Sequence, residues 1–320
     1  MADVAVVGGG ISGIACATAL ADAGLSVDVL DRGQRLGGRL ATQTLRDTGT
    51  ACDGRAVDVG AAYFTVDDTR FGEVVGDWVD RGLVRPWTDT FHIADGTQIL
   101  GTKTGPVRYA APRGLRSLVE DLATVLPSDL VEIRHPLDVT SVDVTTDGVR
   151  VADRDYRAVA LCGPDPQMDA LVPVDQAPLW EPVIALIAVY PERTWEFDGV
   201  FVNDDPVLSF VADDGSRRGD GAPVLVAHST PVLAAGHLAD PVTAAPAMLA
   251  VLGNLSRGGV PAWFTVKRWT YARPAHARPE AFAFDGLVGR AGDGWAGVPR
   301  TQSAWVSGDA LGRAMGDSLR

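Results

Sequence analysis

Apolar and polar positions in the N-terminal stretch fall into short blocks punctuated by glycine. "DVAVV" (3–7) is an unbroken, valine-rich run, the pattern of a strand buried on both faces. "GGGISGIACATALADAG" follows and predicts a tight turn and a helix that stops at Gly24. "LSVDVLD" predicts a second strand, so strand, glycine turn, helix and strand succeed one another as a βαβ unit. "AVDVGAAYFT" (56–65) predicts a strand running into a glycine turn, with aromatics after it. Over 111–126, Leu115, Leu118, Leu122 and Leu126 recur at helical spacing. "VEIRHPLDVTSVDVTTDGVRVA" alternates apolar with polar residues and carries Asp147-Gly148, a hairpin turn. "YRAVALCGP" is another short buried strand, stopped by Pro164.

From about 180 to 272 the pattern changes to longer β-type runs, "VIALIAVY", "GVFVND", "VLSFVAD", "APVLVAHST" and "WFTVKRWTYA", interrupted by a helical stretch near 241–255. The tail returns to the first pattern, with "LVGRAGD" as a strand and "TQSAWVSGDALGRAMGDSL" as a helix carrying small residues on one side. The pattern predicts an α/β protein: a Rossmann-type dinucleotide-binding domain and a smaller domain built on a mostly antiparallel sheet. The expected division gives 1–65, 105–165 and 275–320 to the first domain, and 66–104 and 166–274 to the second.

Composition narrows the function classes. With 41 acidic against 28 basic side chains the formal net charge is −13, which argues against a nucleic-acid or anionic-membrane partner. The apolar run "PVIALIAVY" is far below the roughly 20 residues of a membrane helix. The opening "MADVAVVGGG" has no basic region or cleavage site, so a cytoplasmic location is expected. Cys16, Cys52 and Cys162 form neither a metal-ligand pattern nor a disulfide framework, and are expected to be buried and reduced.

The candidate chemistry begins at Gly8-x-Gly10-x-x-Gly13, between the first strand and helix. Gly8 allows the tight turn, Gly10 admits a pyrophosphate to the backbone, and Gly13 lets helix and strand pack closely. The helix N-terminus, starting at Ile11 and Ser12, offers free N–H groups and the positive end of its dipole. Asp31 stands where an acid binds the adenosine ribose hydroxyls, and would repel a 2′-phosphate. A second double glycine, Gly37-Gly38, then precedes Arg39. It gives another place for close backbone approach, and Arg39 can set a guanidinium on the same pyrophosphate. Two phosphate grips suit a cofactor held permanently, which points to FAD.

"VAVVGGGISG…VLDRGQRLGGRLAT" resembles the start of the flavin amine oxidase superfamily. "VDVGAAYFT", "APRGLRSLVEDLA", "VLVAHST", "KRWTYARP" and "AGDGWAGVPRTQSAWVSGDALG" resemble, in order, segments of renalase and its bacterial relatives. The resemblance covers most of the chain and implies the p-hydroxybenzoate hydroxylase/amine oxidase-like architecture. By that resemblance Gly8, Gly10, Ile11, Ser12, Gly13, Asp31, Arg32, Gly38 and Arg39 hold the ADP half of non-covalent FAD. Val139 gives backbone contacts to adenine, and Gly292-Asp293 meets the ribityl and pyrophosphate portion. Thr301 and Gln302 offer backbone N–H groups to the flavin N1/O2 edge, and Gly60 and Ala61 run close to the isoalloxazine ring.

The resemblance also implies an activity: oxidation of 2- and 6-dihydro isomers of NAD(P)H to NAD(P)⁺ by hydride transfer to flavin N5, with O₂ reduced to H₂O₂. Re-aromatisation of a dihydropyridine drives the hydride off, so no strong general base is needed. Candidate substrate-site residues are Tyr63, after the flavin-facing glycine, His228, and Trp269 and Tyr271, which alternate on one strand and share a face. Two other readings stay open: a flavin amine oxidase acting on small amines, for which Lys267 is a poor N5 partner, and a flavin-binding protein with a non-catalytic role. A monomer or weak homodimer is expected, with no metal.

Overall fold

The computed structural model describes residues 2–174 and 178–320. The chain divides into two compact units, each assembled from separate segments. The first comprises Met1–Leu40, Arg116–Trp180 and Arg273–Arg320, and the second Ala41–Leu115 and Glu181–Ala272.

The first unit is a doubly wound sheet. Its strands lie in the order Ala283–Phe284, Val288–Arg290, Ala158–Leu161, Val4–Val7, Val27–Leu30, Val131–Arg134. All neighbours are parallel except the first pair. The three central strands are buried at every residue, as apolar runs covered on both faces must be. The helix Ile11–Asp22 ends at Ala23, and Gly24 follows at φ +80°, the left-handed residue expected there. The helix Thr301–Leu319 packs against it closely. A β-carbon on Gly308 would fall 2.0 Å from the Ser12 carbonyl oxygen, and one on Gly312 would fall 2.5 Å from that of Cys16. The small-residue side of the tail helix is thus the contact that seats it. A three-stranded antiparallel sheet, Val142–Val144, Val149–Val151 and Arg154–Tyr156, contains the Asp147-Gly148 turn.

The second unit is a seven-stranded, mostly antiparallel sheet in the order Trp263–Pro274, Trp180–Val189, Val224–Ser229, Leu208–Asp213, Gly199–Val202, Arg85–Ala94, Ile99–Ala110. The Gly199–Val202/Arg85–Ala94 pair runs parallel. One face carries Ile184, Leu186, Ala188, Leu225 and Ala227 and packs on Met248 and Leu252 of the helix Ala245–Leu255. The other carries Ile187, Val189, Val224 and Val226, then Phe210 and Ala212.

Several expectations are corrected. The second unit is not the smaller one; it holds the larger share of the chain. Residues 41–65 and 105–115, expected with the first domain, cluster with the second unit. There the two-stranded ribbon Thr42–Thr44/Ala56–Asp58 packs its Val57 on the sheet, and Asp58 accepts a hydrogen bond from Leu115 N. Residues 166–174 and 178–180, expected with the second domain, cluster with the first, and 175–177 lie outside the described residues. The helix expected over 111–126 spans only Arg116–Thr124, because Gly114 takes φ +94° and ends the preceding turn. The strand expected to run into the glycine turn of 56–65 spans Ala56–Asp58, just before Gly60. The stretch near 241–255 starts as a 3₁₀ turn, Pro241–Ala244. Among the described residues no helix is long and apolar enough to cross a membrane.

Candidate functional site

In the first unit the C-terminal ends of the parallel strands deliver the glycine turn, Asp31, Gly163 and Gly292 to one edge, where ligands of open α/β sheets bind. Gly8 sits at φ +112°, and a β-carbon there would lie 2.4 Å from the Cys162 carbonyl oxygen. A β-carbon on Gly13 would lie 1.8 Å from the Gly8 carbonyl oxygen, so both positions exclude any side chain. Gly10 differs: nothing lies within 4 Å of where its β-carbon would be. It caps the Ile11–Asp22 helix with no side-chain hydrogen bond, so the first-turn N–H groups face that open space. Ser12 is buried, yet its hydroxyl has no hydrogen-bond partner among the described residues. An orphaned hydroxyl beside an uncapped helix N-terminus fits the phosphate of a dinucleotide, which would satisfy both.

The second glycine pair reaches this same place. Gly37 and Gly38 take φ +116° and +51°. Gly37 N donates to the Gly9 carbonyl at 2.9 Å, and a β-carbon on Gly38 would meet Gly10 Cα at 3.6 Å. The two glycine loops therefore form one backbone surface.

Arg39 and Asp293, both singled out from sequence, meet directly. The guanidinium makes two 2.6 Å hydrogen bonds to the carboxylate and lies 4.9 Å over the Trp180 ring. Two donors of the Arg39 fork thus go to Asp293, a partner the sequence reading of Arg39 had not included. Asp31 is likewise engaged, accepting from Gly9 N at 2.6 Å and Gly33 N at 2.7 Å, with lone pairs left for ribose hydroxyls. Arg32 is exposed. The Val139 side chain is core, packed with Leu30 and Val159, so only its backbone could meet an adenine. Gly292, at φ +148°, donates its N–H to Ser307 Oγ. Thr301 and Gln302 open the tail helix, whose cap residue Arg300 makes no side-chain cap bond.

Sequence reasoning missed three neighbours. Asp165 accepts from Trp180 Nε1 and Arg278 Nη1, both at 3.1 Å, and Arg278 lies 4.3 Å over Trp295. The available signal was "GPD" directly after a buried strand. Beneath the loop, Cys16 and Cys162 are buried and free. The hydrogen bond between the thiols, with burial, pushes the Cys16 thiol well above its usual range.

The four substrate-site candidates all belong to the second unit. Trp269 packs on the Val57–Val59 and Ile187–Val189 face and donates its indole N–H to the Val59 carbonyl at 2.6 Å. Arg217 Nη1 donates to the Ala62 carbonyl at 2.7 Å. Gly60 and Ala61 are thus pinned from both sides. Trp269 is committed to the backbone and to packing, which the expectation of a substrate-facing wall had not included. Tyr271, two residues on and half-buried, shares its side of the strand.

Tyr63 stands in an aromatic cluster, its ring centroid 5.3 Å from Phe91 and 5.9 Å from Phe210, and Phe210 is 5.9 Å from the His228 ring. Burial raises the Tyr63 phenol above its ordinary value, against the pull of the Arg108 guanidinium. Behind this face lies a sealed ion network. Asp214 pairs with Arg217, Arg218 and Arg55, and Asp58 accepts from Thr42 Oγ1 at 2.5 Å and faces Arg217 at 3.4 Å.

Residues 6–78 match the family model of the NAD(P)-binding Rossmann-like domain. The carotenoid 3,4-desaturase of Haloarcula japonica is 35% identical over 103 residues, 30% of this chain and 19% of the relative. The flavin-containing amine oxidase B of Cavia porcellus is 51% identical over 141 residues, 40% of this chain and 24% of the relative. The matches thus span about a fifth to a quarter of the length of these curated relatives. Cyclohexylamine oxidase from Brevibacterium oxydans superposes with a TM-score of 0.75 at 15% identity, covering 99% of both chains. Putrescine oxidase bound to putrescine does so with a TM-score of 0.71 at 16% identity, covering 99% of this chain and 98% of that one. At these identities the likeness is one of fold.

Proposed function

We infer that the chain is a flavin-dependent oxidoreductase of the flavin amine oxidase superfamily, with FAD held non-covalently in the first unit. The orphaned Ser12 hydroxyl beside the open, uncapped helix N-terminus is the observation that carries this reading. Ser12 and the first-turn N–H groups would hold phosphate, Asp31 the ribose, and the Arg39–Asp293 pair the centre of the cofactor. Thr301 and Gln302 would place a helix N-terminus where negative charge grows on reduction. All three cysteines are buried, which favours a cofactor without a thioether link.

When bound, FAD would supply the hydride acceptor, and O₂ would reoxidise it with release of H₂O₂. As substrates we favour the 2- and 6-dihydro isomers of NAD(P)H, in line with the renalase-like segments. The residues of this chain would bind and shield. Tyr63, Phe210 and His228 offer flat contact area, and Trp269 and Arg217 fix Gly60 and Ala61. Nearby carboxylates that could seat an ammonium are already engaged: Asp58, Asp213 and Asp214 each lie against guanidinium groups. The second reading, oxidation of small amines, draws on the 51% local identity to amine oxidase B.

The test is the visible spectrum of the purified protein during anaerobic addition of dihydronicotinamide isomers, with NADH and a small amine in parallel. Rapid bleaching by the 2- or 6-dihydro isomers alone is expected. Bleaching by the amine moves the function to the second reading, and a bound flavin that nothing reduces moves it to a non-catalytic role.

A further inference from the structure

The described residues include four buried arginines: Arg108, Arg217, Arg218 and Arg290. Three are neutralised by carboxylates, Arg217 and Arg218 by Asp214 and Arg290 by Asp169. Arg108 is the exception. It is 5% exposed, and among the described residues no carboxylate pairs with it. Its Nη1 donates to the carbonyl oxygens of Asp89 at 2.7 Å and Pro106 at 3.4 Å, and its Nε has no partner. The Tyr63 phenol oxygen also faces the guanidinium, and rings make up the rest of its surroundings. The guanidinium lies 3.9 Å over Phe91, 5.7 Å from the Tyr63 centroid and 5.9 Å from that of Phe201.

A buried cation without a counter-ion is costly, and ring faces and two carbonyls offset that cost only in part. Its position gives the cost a purpose. Arg108 adjoins the cluster Tyr63–Phe91–Phe210, which continues to His228, and Tyr63, Phe201 and His228 are half-buried, each reaching the surface in part. An apolar, flat-walled surface with a fixed guanidinium at one end is complementary to a planar molecule bearing an anionic group. It is unfavourable to one bearing an ammonium.

We propose that Arg108 is the specificity determinant of an anion subsite on this sheet face, and that the substrate carries a carboxylate or phosphate in addition to the group that is oxidised. This rests on the reading of the face as the substrate wall.

The test needs no turnover. The flavin-loaded protein is titrated calorimetrically with benzoate, phenyl phosphate and the neutral isostere benzamide. At least one anion should bind tenfold or more tightly than benzamide, and the comparison of benzoate with phenyl phosphate tells a carboxylate site from a phosphate site. Arg108→Met should abolish the preference while leaving benzamide affinity within about twofold. Arg108→Lys, which keeps the charge and the stem if the methionine variant fails to fold, should retain a several-fold preference that shrinks with added salt. Three equal affinities in the unsubstituted protein, or a preference that survives in Arg108→Met or ignores salt in Arg108→Lys, overturns the proposal. Because binding is the readout, an anion preference without flavin bleaching by dihydronicotinamides would keep the subsite and reject the assigned reaction; the reverse result would do the opposite.

Discussion

Each unit contains an arginine–aspartate pair beside a loop of interest, and the two are built differently. In the first unit Arg39 and Asp293 keep side-chain exposures of 26% and 12%. In the second, Arg217 and Asp214 keep 1% and 0%, with Asp58, Arg55 and Arg218 packed around them. A pair within reach of water can rearrange its hydrogen bonds around an incoming anion at small cost. A sealed pair cannot, because leaving either charge alone is strongly destabilising. The first arrangement suits a binding site and the second suits a fixture. The fixture here holds the Ala62 carbonyl, and with it the turn through Gly60 and Ala61.

The largest effect should come from breaking the fixture. Asp214→Ala leaves Arg217 and Arg218 only the more distant Asp58, and Arg55 only the half-exposed Asp220, and should lower the unfolding free energy by ~3–5 kcal/mol in urea denaturation at neutral pH. A loss below about 1 kcal/mol would mean the network is solvated and the contrast between the two pairs is false. Next is Arg39→Ala. It should cost about 1 kcal/mol or less of stability, yet weaken FAD binding by about 10- to 100-fold, as expected when hydrogen bonds to a charged group are lost. Flavin content after purification and fluorescence titration measure this. A full complement of tightly bound FAD would remove Arg39 from the cofactor site.

Tyr271→Ala should slow anaerobic flavin reduction by roughly tenfold, equivalent to about 1.4 kcal/mol in the barrier, without releasing FAD. Unchanged stopped-flow kinetics would assign Tyr271 to packing alone. The smallest effect sharpens the comparison most. Among the described residues Ser12 Oγ bonds to nothing, so Ser12→Ala should leave flavin-free stability within about 0.5 kcal/mol. FAD affinity should still fall by about three- to tenfold, the worth of one hydrogen bond. Equal losses in both would show the hydroxyl to be a structural partner.

The proposed cofactor side was legible in sequence because it is made of backbone. A tight turn, a close helix–strand crossing and a left-handed residue each demand glycine at a fixed position, so Gly8, Gly13 and Gly37 announce themselves. The Arg39–Asp293 pair joins residues 254 apart, and only the family resemblance had put both on the same cofactor. The proposed substrate side would be made of side chains gathered from different strands, with no local signature. The hairpin Arg85–Ala94/Ile99–Ala110 escaped a periodicity reading because Ile99–Val107 lies exposed at the sheet edge and has no apolar alternation to detect. Arg108, on that edge strand, reads as a surface charge until Phe91 and Tyr63 are found around it. Trp269 was picked out as a ring, while its indole N–H bond to Val59 needed three dimensions.

The close seating of the tail helix on the first helix has a consequence for the order of events during synthesis. The first helix leaves the ribosome well before the tail helix, so the groove between Ser12 and Cys16 that receives Gly308 and Gly312 stays uncovered until that helix emerges. The nascent chain must therefore carry the Ile11–Asp22 helix, ten of whose twelve residues are buried in the folded protein, without its cover until the tail helix is made. Capture of the cofactor by a finished site becomes a late step, gated by the arrival of two glycines.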